Sequence, residues 1–233
     1  MMNAKFSRRL VLQSTALVAP VVLVGCGGSN NNPDAFSGSD ARGSDSGPTT
    51  NPDIANLNAL LSAEYGAIKA YQAGAGILMS PPAADAQRAS APTFLAVANE
   101  FLREHQDHAE VLAETITALG GTPVAESSVV FTPPVGFMAG TLNVVRLACN
   151  AEKAAAIAYN GVIQALTASN NRFIASAIEG DETQHFVILY SLLKGLAAPS
   201  ATVMPGRLVP QSFVSNVGTR MGLQAYPDFT YSA

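Results

Sequence analysis

The sequence predicts an all-α protein: a four-helix bundle with one long crossover between its second and third helices, and a loop-rich C-terminal tail. Three observations point there. Of 233 residues 48% are hydrophobic and only 13% charged, with no tryptophan, a composition suited to closely packed helices. From residue 51 onward apolar residues recur at i, i+3, i+4 and i+7, the spacing of a buried helical face. The connection after the second such segment is also far longer than the one after the third. The formal charge of −4 argues against a nucleic-acid binder, which would be basic.

The chain opens with a segment expected to act outside the fold. "KFSRRLVLQSTALVAPVVLVGCGG" has a basic start at Lys5, Arg8 and Arg9, then an apolar run from Leu10 to Gly25. That run is too short for a comfortable membrane span and reads as a signal peptide over residues 1–25. Ser7-Arg8-Arg9-Leu10 resembles a twin-arginine export signal, and Leu23-Val24-Gly25-Cys26 resembles a bacterial lipobox. Cys26 would then carry lipid and anchor the protein to a membrane, placing it in the periplasm, outside the bacterial inner membrane. Cys149 would remain as the lone cysteine of the mature chain, with no partner for an intramolecular disulfide. Residues 26–50, rich in Gly, Ser, Asn and Asp, read as a flexible tether with almost nothing to bury.

The bundle is expected over residues 51–195. Asn51-Pro52-Asp53 is a helix start with proline at its first position. The helix should run to about Met79, with Leu57, Leu61, Glu64, Ile68 and Tyr71 on one face. A second, about Thr93 to Leu119, carries Phe94, Val97, Phe101, His105, His108, Leu112, Ile116 and Leu119, and Gly120-Gly121 ends it. A third, about 138–167, lines up Leu142, Val145, Cys149, Glu152, Ala156, Tyr159 and Ile163. The fourth, about 171–194, lines up Ile174, Ile178, Glu182, His185, Leu189 and Leu192. "GTPVAESSVVFTPPVGF", between the second and third, spans roughly 50 Å extended, enough to pass a helix of roughly 39 Å. Residues 196–233 read as a tail packing on the bundle, with a short helix near 211–221.

The helices repeat in pairs. "AEYGAIKAY" (63–71) matches "AEKAAAIAY" (151–159), and "HQDHAEVL" (105–112) matches "ETQHFVIL" (182–189). Glu64, His105, His108, Glu152, Glu182 and His185 all fall on the apolar stripes. Arg103, Asp107, Glu110 and Glu114 fall on the outer face of the second helix. A buried carboxylate without a partner costs several kcal/mol, so three together demand neutralisation, which a divalent metal supplies. Residues three apart face the same way. Glu182 with His185, and His105 with His108, can therefore each reach toward one point.

Through these motifs residues 51–195 resemble the ferritin-like superfamily, specifically the bacterial exported ferritin-like proteins, related in fold to rubrerythrin and manganese catalase. The resemblance implies metal ligation by Glu64, Glu152 and the Glu182-x-x-His185 motif. His105-x-x-His108 takes the place of a second Glu-x-x-His, so a histidine stands where a bridging glutamate is usual. Glu104, one residue off the stripe, is expected beside the ligands rather than among them. Tyr71 and Tyr159 are expected to bond ligand carboxylates.

The implied cofactor is iron or manganese, at a dinuclear or a better-filled mononuclear site. The implied function is redox chemistry with oxygen or peroxide, as an oxidase, peroxidase or catalase. The alternative is a non-catalytic envelope protein serving metal binding, stress protection or partner contacts. No rubredoxin-like cysteine pairs are present, so an electron donor would come from elsewhere. The tether suits a monomer or small homo-oligomer, and no single residue is assigned a catalytic role.

Overall fold

The computed structural model describes residues 51–197 and 228–231. The expected signal peptide, Cys26, the tether, the short helix near 211–221 and most of the tail lie outside the described residues. Among those described the long elements are four α-helices: α1 (Pro52–Met79), α2 (Ala91–Ala118), α3 (Thr141–Ala165) and α4 (Ser169–Ala197). There is no strand among them, and no helix among them is long and apolar enough to cross a membrane. α1 packs chiefly on α2 and α3 on α4, and the two pairs meet mainly through α1 and α3. Residues 119–140 form the crossover, and three residues, 166–168, join α3 to α4.

Local chemistry sets the helix ends. The Asn51 side chain accepts from the Asp53 amide at 2.9 Å, with Pro52 at the first helical position. α2 closes with Gly120 at φ 79°, the left-handed conformation glycine tolerates. The Gly120 amide donates to Thr117 and the Gly121 amide to Ile116, the paired bonds of a Schellman ending. The crossover then leaves along α1. Asn58 Nδ2 donates to the Thr122 carbonyl at 3.1 Å, and its Oδ1 accepts from the Val124 amide at 2.6 Å. Asp85 accepts from the Thr141 amide at 2.6 Å and so fixes where α3 begins.

The buried stripes differ from the expected ones toward their ends. Val97, Leu119, Leu142, Ile163, Ile174 and Leu192 are half-buried, while Ala98, Val144, Ala175 and Leu193 are buried. Each helix touches neighbours on two sides, so its covered face is broader than one residue row. The apolar core forms two clusters. One contains Phe94, Phe101, Val145, Cys149, Phe186 and Leu189, and the other Leu57, Leu61, Leu112, Ile116, Tyr159 and Ile178. On α2 and α4 the predicted polar residues fall where one cluster gives way to the other, whereas Glu64 lies between Leu61 and Ile68 of the second cluster and Glu152 between Cys149 and Ala156 of the first.

Residues 228–231 lie against this bundle. Phe229 exchanges two hydrogen bonds with the Asn150 side chain, both 2.8 Å, and Asp228 pairs with Lys153.

One buried acid with no role in the central cluster ties the bundle's end together. Asp53 accepts from the Thr167 amide (2.7 Å), the Thr167 hydroxyl (2.9 Å), the Ala168 amide (3.0 Å) and Asn171 Nδ2 (2.7 Å). It thereby clamps the start of α1 to the α3–α4 turn. Burial opposes its ionisation, but these bonds outweigh it and lower the carboxyl from 3.8 to about 2. Its contribution is therefore present above pH 3.8 and lost as pH falls through about 2. Asp53→Ala is expected to cost about 2–3 kcal/mol near neutral pH, read from denaturant unfolding. An unchanged midpoint would contradict the clamp.

Candidate metal centre

The six predicted residues converge. Glu64 from α1, His105 and His108 from α2, Glu152 from α3, and Glu182 and His185 from α4 are all buried. Their donor atoms form two groups. Glu64, His105, His108 and Glu182 make one, and His105, Glu152, Glu182 and His185 the other, with the ligand atoms within 4.8 Å of one another in each. The groups share His105 and Glu182.

The near two-fold repeat is visible in the contacts. Tyr71 on α1 donates its hydroxyl to Glu152 on α3, and Tyr159 on α3 donates to Glu64 on α1. The same crossing holds for the histidines. Glu104 Oε2 on α2 lies 2.6 Å from His185 Nε2 on α4. Asp181 Oδ2 on α4 lies 3.3 Å from His108 Nε2 on α2. In each case the inward nitrogen, Nδ1, faces the cluster: His185 Nδ1 is 3.3 Å from Glu152 Oε2, and His108 Nδ1 is 3.3 Å from Glu182 Oε1. A histidine with one nitrogen inward and the other held by a carboxylate is the usual outer arrangement of a metal ligand.

Glu104 stands where the sequence placed it, at the rim with its side chain 35% exposed. Asp181 was not anticipated. The repeat carried the signal, because aligning 105–112 with 182–189 sets Asp181 opposite Glu104. Phe101 stacks on His185 with ring centroids 3.9 Å apart and shields it from the apolar side. Cys149 is fully buried in the core. Burial first, and then the Glu152 charge, push its thiol up to about 12, which keeps it unreactive.

The charge states follow from the packing. Burial alone would lower His105, but hydrogen bonds to Glu152 and Glu64 raise it from 6.5 to about 10. Burial works against ionised Glu64 and Glu152, yet their histidine partners hold both below the ordinary carboxylate range. Glu182 goes the other way. Burial, then the charges of Glu152 and Glu64, push it from 4.5 up to about 11. Among the described residues neither Glu182 oxygen has a hydrogen-bond partner, and neither does His108 Nδ1. Buried oxygens lacking donors, inside a shell of carboxylates and imidazoles, are what a divalent cation satisfies. The residues present fit a metal centre.

An almost wholly apolar cavity of about 100 Å³ reaches Tyr71 from the side of α1, α3 and the crossover. Gly74, Phe94, Phe131, Phe137 and Val144 help to line it.

Comparison with known proteins agrees with this architecture. A family model described as a ferritin-like domain matches residues 52–195, and the chain belongs to that family. Among solved structures, a dodecameric thioferritin, a bacterioferritin-related protein from Bacteroides fragilis, matches at TM-score 0.52 and 24% identity. The match covers 63% of this chain and 86% of that one, and the likeness is one of fold. A conserved hypothetical protein from Mycobacterium tuberculosis matches at TM-score 0.49 and 18% identity, over 60% of this chain and 96% of that one. Ferritin-like, diiron-carboxylate proteins from Bacillus anthracis match at TM-score 0.48 and 24% identity, over 60% and 94%. No curated protein matches the chain.

The raised groups give the metal-free protein a defined pH response. Glu182 contributes stability below pH 4.5 that is lost as pH rises toward 11, and His105 contributes stability below pH 6.5 that is lost toward 10. Metal-free protein should therefore weaken above pH 4.5, and more steeply above pH 6.5. Glu182→Gln, which keeps the shape and cannot ionise, is expected to flatten that decline and add about 1–3 kcal/mol at about pH 8. Calorimetry across pH checks this, and a variant that declines as steeply as the parent would contradict it.

Proposed function

We propose that this chain is an exported, lipid-anchored ferritin-like protein that binds two iron or manganese ions in its core for redox chemistry with oxygen or peroxide. The observation that carries the reading is the buried cluster of three glutamates and three histidines, shared between two donor groups. Bound there, iron or manganese would supply the electrons exchanged with the oxidant. The protein's own part is to hold and shield. Tyr71 and Tyr159 fix Glu152 and Glu64, while Glu104 and Asp181 fix His185 and His108. Phe101 and the two apolar clusters keep bulk water away. The apolar cavity at Tyr71 suits a small apolar molecule such as dioxygen. Arg8-Arg9 and Cys26 support export and a lipid anchor, and the electron donor would be a separate protein or small molecule. The tether suits a monomer or small homo-oligomer.

A second reading has its own support. Protonated His105 paired with Glu64 and Glu152, beside protonated Glu182, already relieves much of the buried charge. A non-catalytic envelope protein that binds metal or a partner would need no more. Consumption of oxygen or hydrogen peroxide by iron- or manganese-loaded protein separates the two. Sustained turnover, falling about 100-fold or more in Glu64→Ala, is expected for the redox reading. Loaded protein that consumes neither oxidant would leave the non-catalytic one.

A further inference from the structure

The repeat pairs Glu64 with Glu152, His108 with His185 and Glu104 with Asp181, like with like. Among the cluster residues it breaks at one place, where His105 stands opposite Glu182. These are the two residues that both donor groups share. A carboxylate serves two ions through its two oxygens, and the contacts of His105 indicate how a ring does the same. Its Nδ1 lies 2.8 Å from Glu64 Oε2 and 3.5 Å from Glu182 Oε1. Its Nε2, on the opposite side of the ring, lies 3.3 Å from Glu152 Oε1. His108 and His185 each turn one nitrogen to an acid at the rim. His105 is 1% exposed and gives one nitrogen to each half of the cluster.

We propose that His105 bridges the two ions, Nδ1 to the ion held by Glu64 and His108, and Nε2 to the ion held by Glu152 and His185. This rests on the two-metal reading above. Bridging forms one metal–nitrogen bond on each side and breaks both N–H bonds of the imidazolium that pairs with Glu64 and Glu152; with the Glu182 O–H, three protons leave to solvent as the ions bind. The bridging ring then carries one negative charge. Three carboxylates and that ring carry four negative charges, and two divalent ions carry four positive ones. The cluster is neutral, as burial favours. A ring with its nitrogens on opposite edges also holds the ions farther apart than the roughly 3.5–4 Å of ordinary two-metal sites.

The test uses the full chain loaded anaerobically with cobalt(II), measuring metal content, stepwise affinity and the metal–metal vector by X-ray absorption. Two ions per chain with no vector near roughly 3.5–4 Å are expected, and His105→Glu should bring that vector in. His105→Ala should weaken both binding steps about tenfold or more, with helical content unchanged. A short vector in the parent, or His105→Ala weakening one step alone, would overturn the bridge and leave the two-metal site standing. No bound cobalt in the folded parent would overturn both.

Discussion

Three carboxylates share the dry centre of an apolar bundle, and most other features of the structure answer to that constraint. Unrelieved, their burial would consume a large share of the roughly 5–15 kcal/mol that holds a domain together. The protein relieves it in layers. Each of Glu64 and Glu152 takes a tyrosine hydroxyl from the opposite helix pair and shares the His105 ring. Glu182 receives no hydrogen bond from the described residues. It is the residue whose charge the folded protein alone cannot support, and it lies where both donor groups need it.

The internal repeat explains how a single chain builds such a centre. Helix pairs with matching motifs come together about a near two-fold relation, so each side supplies the tyrosine and rim acid that the other needs. Crossed contacts of this kind make the two pairs interdependent. The crossover permits the relation by carrying the chain along the bundle, held at its start by Asn58, while Asp85 sets where α3 begins. Membership of the ferritin-like family and the fold of the Bacteroides protein agree with this arrangement. Within the cluster, His105 is the one residue that differs from its counterpart in the repeat, Glu182.

Much of the architecture was legible from periodicity. The four helices lie near their expected bounds, because Pro52 and Gly120-Gly121 punctuate strongly and the stripes are long. The six inward polar residues were legible for the same reason, as charges on an otherwise apolar face. Asp181 escaped because it stands one residue off the stripe, where periodicity reads an ordinary surface acid; only the packing of α4 against α2 brings it to His108. Asp53 looked like a helix-start residue, and its clamp on the α3–α4 turn depends on contacts 114 to 118 residues away. The cavity beside Tyr71 is lined from all four helices and from the crossover folding back over them, which no local pattern encodes.

The most direct measurement is the thermal unfolding midpoint of the metal-free protein with and without excess manganese(II), by calorimetry near neutral pH. If metal answers the buried charge, each bound ion present at about a hundredfold excess over its dissociation constant should raise the midpoint by roughly 5–10 °C. The Glu182→Gln variant should rise far less. A midpoint that manganese leaves unmoved, in protein with its helices intact, would mean that protons and histidines alone balance these carboxylates, and that the cluster is no metal centre.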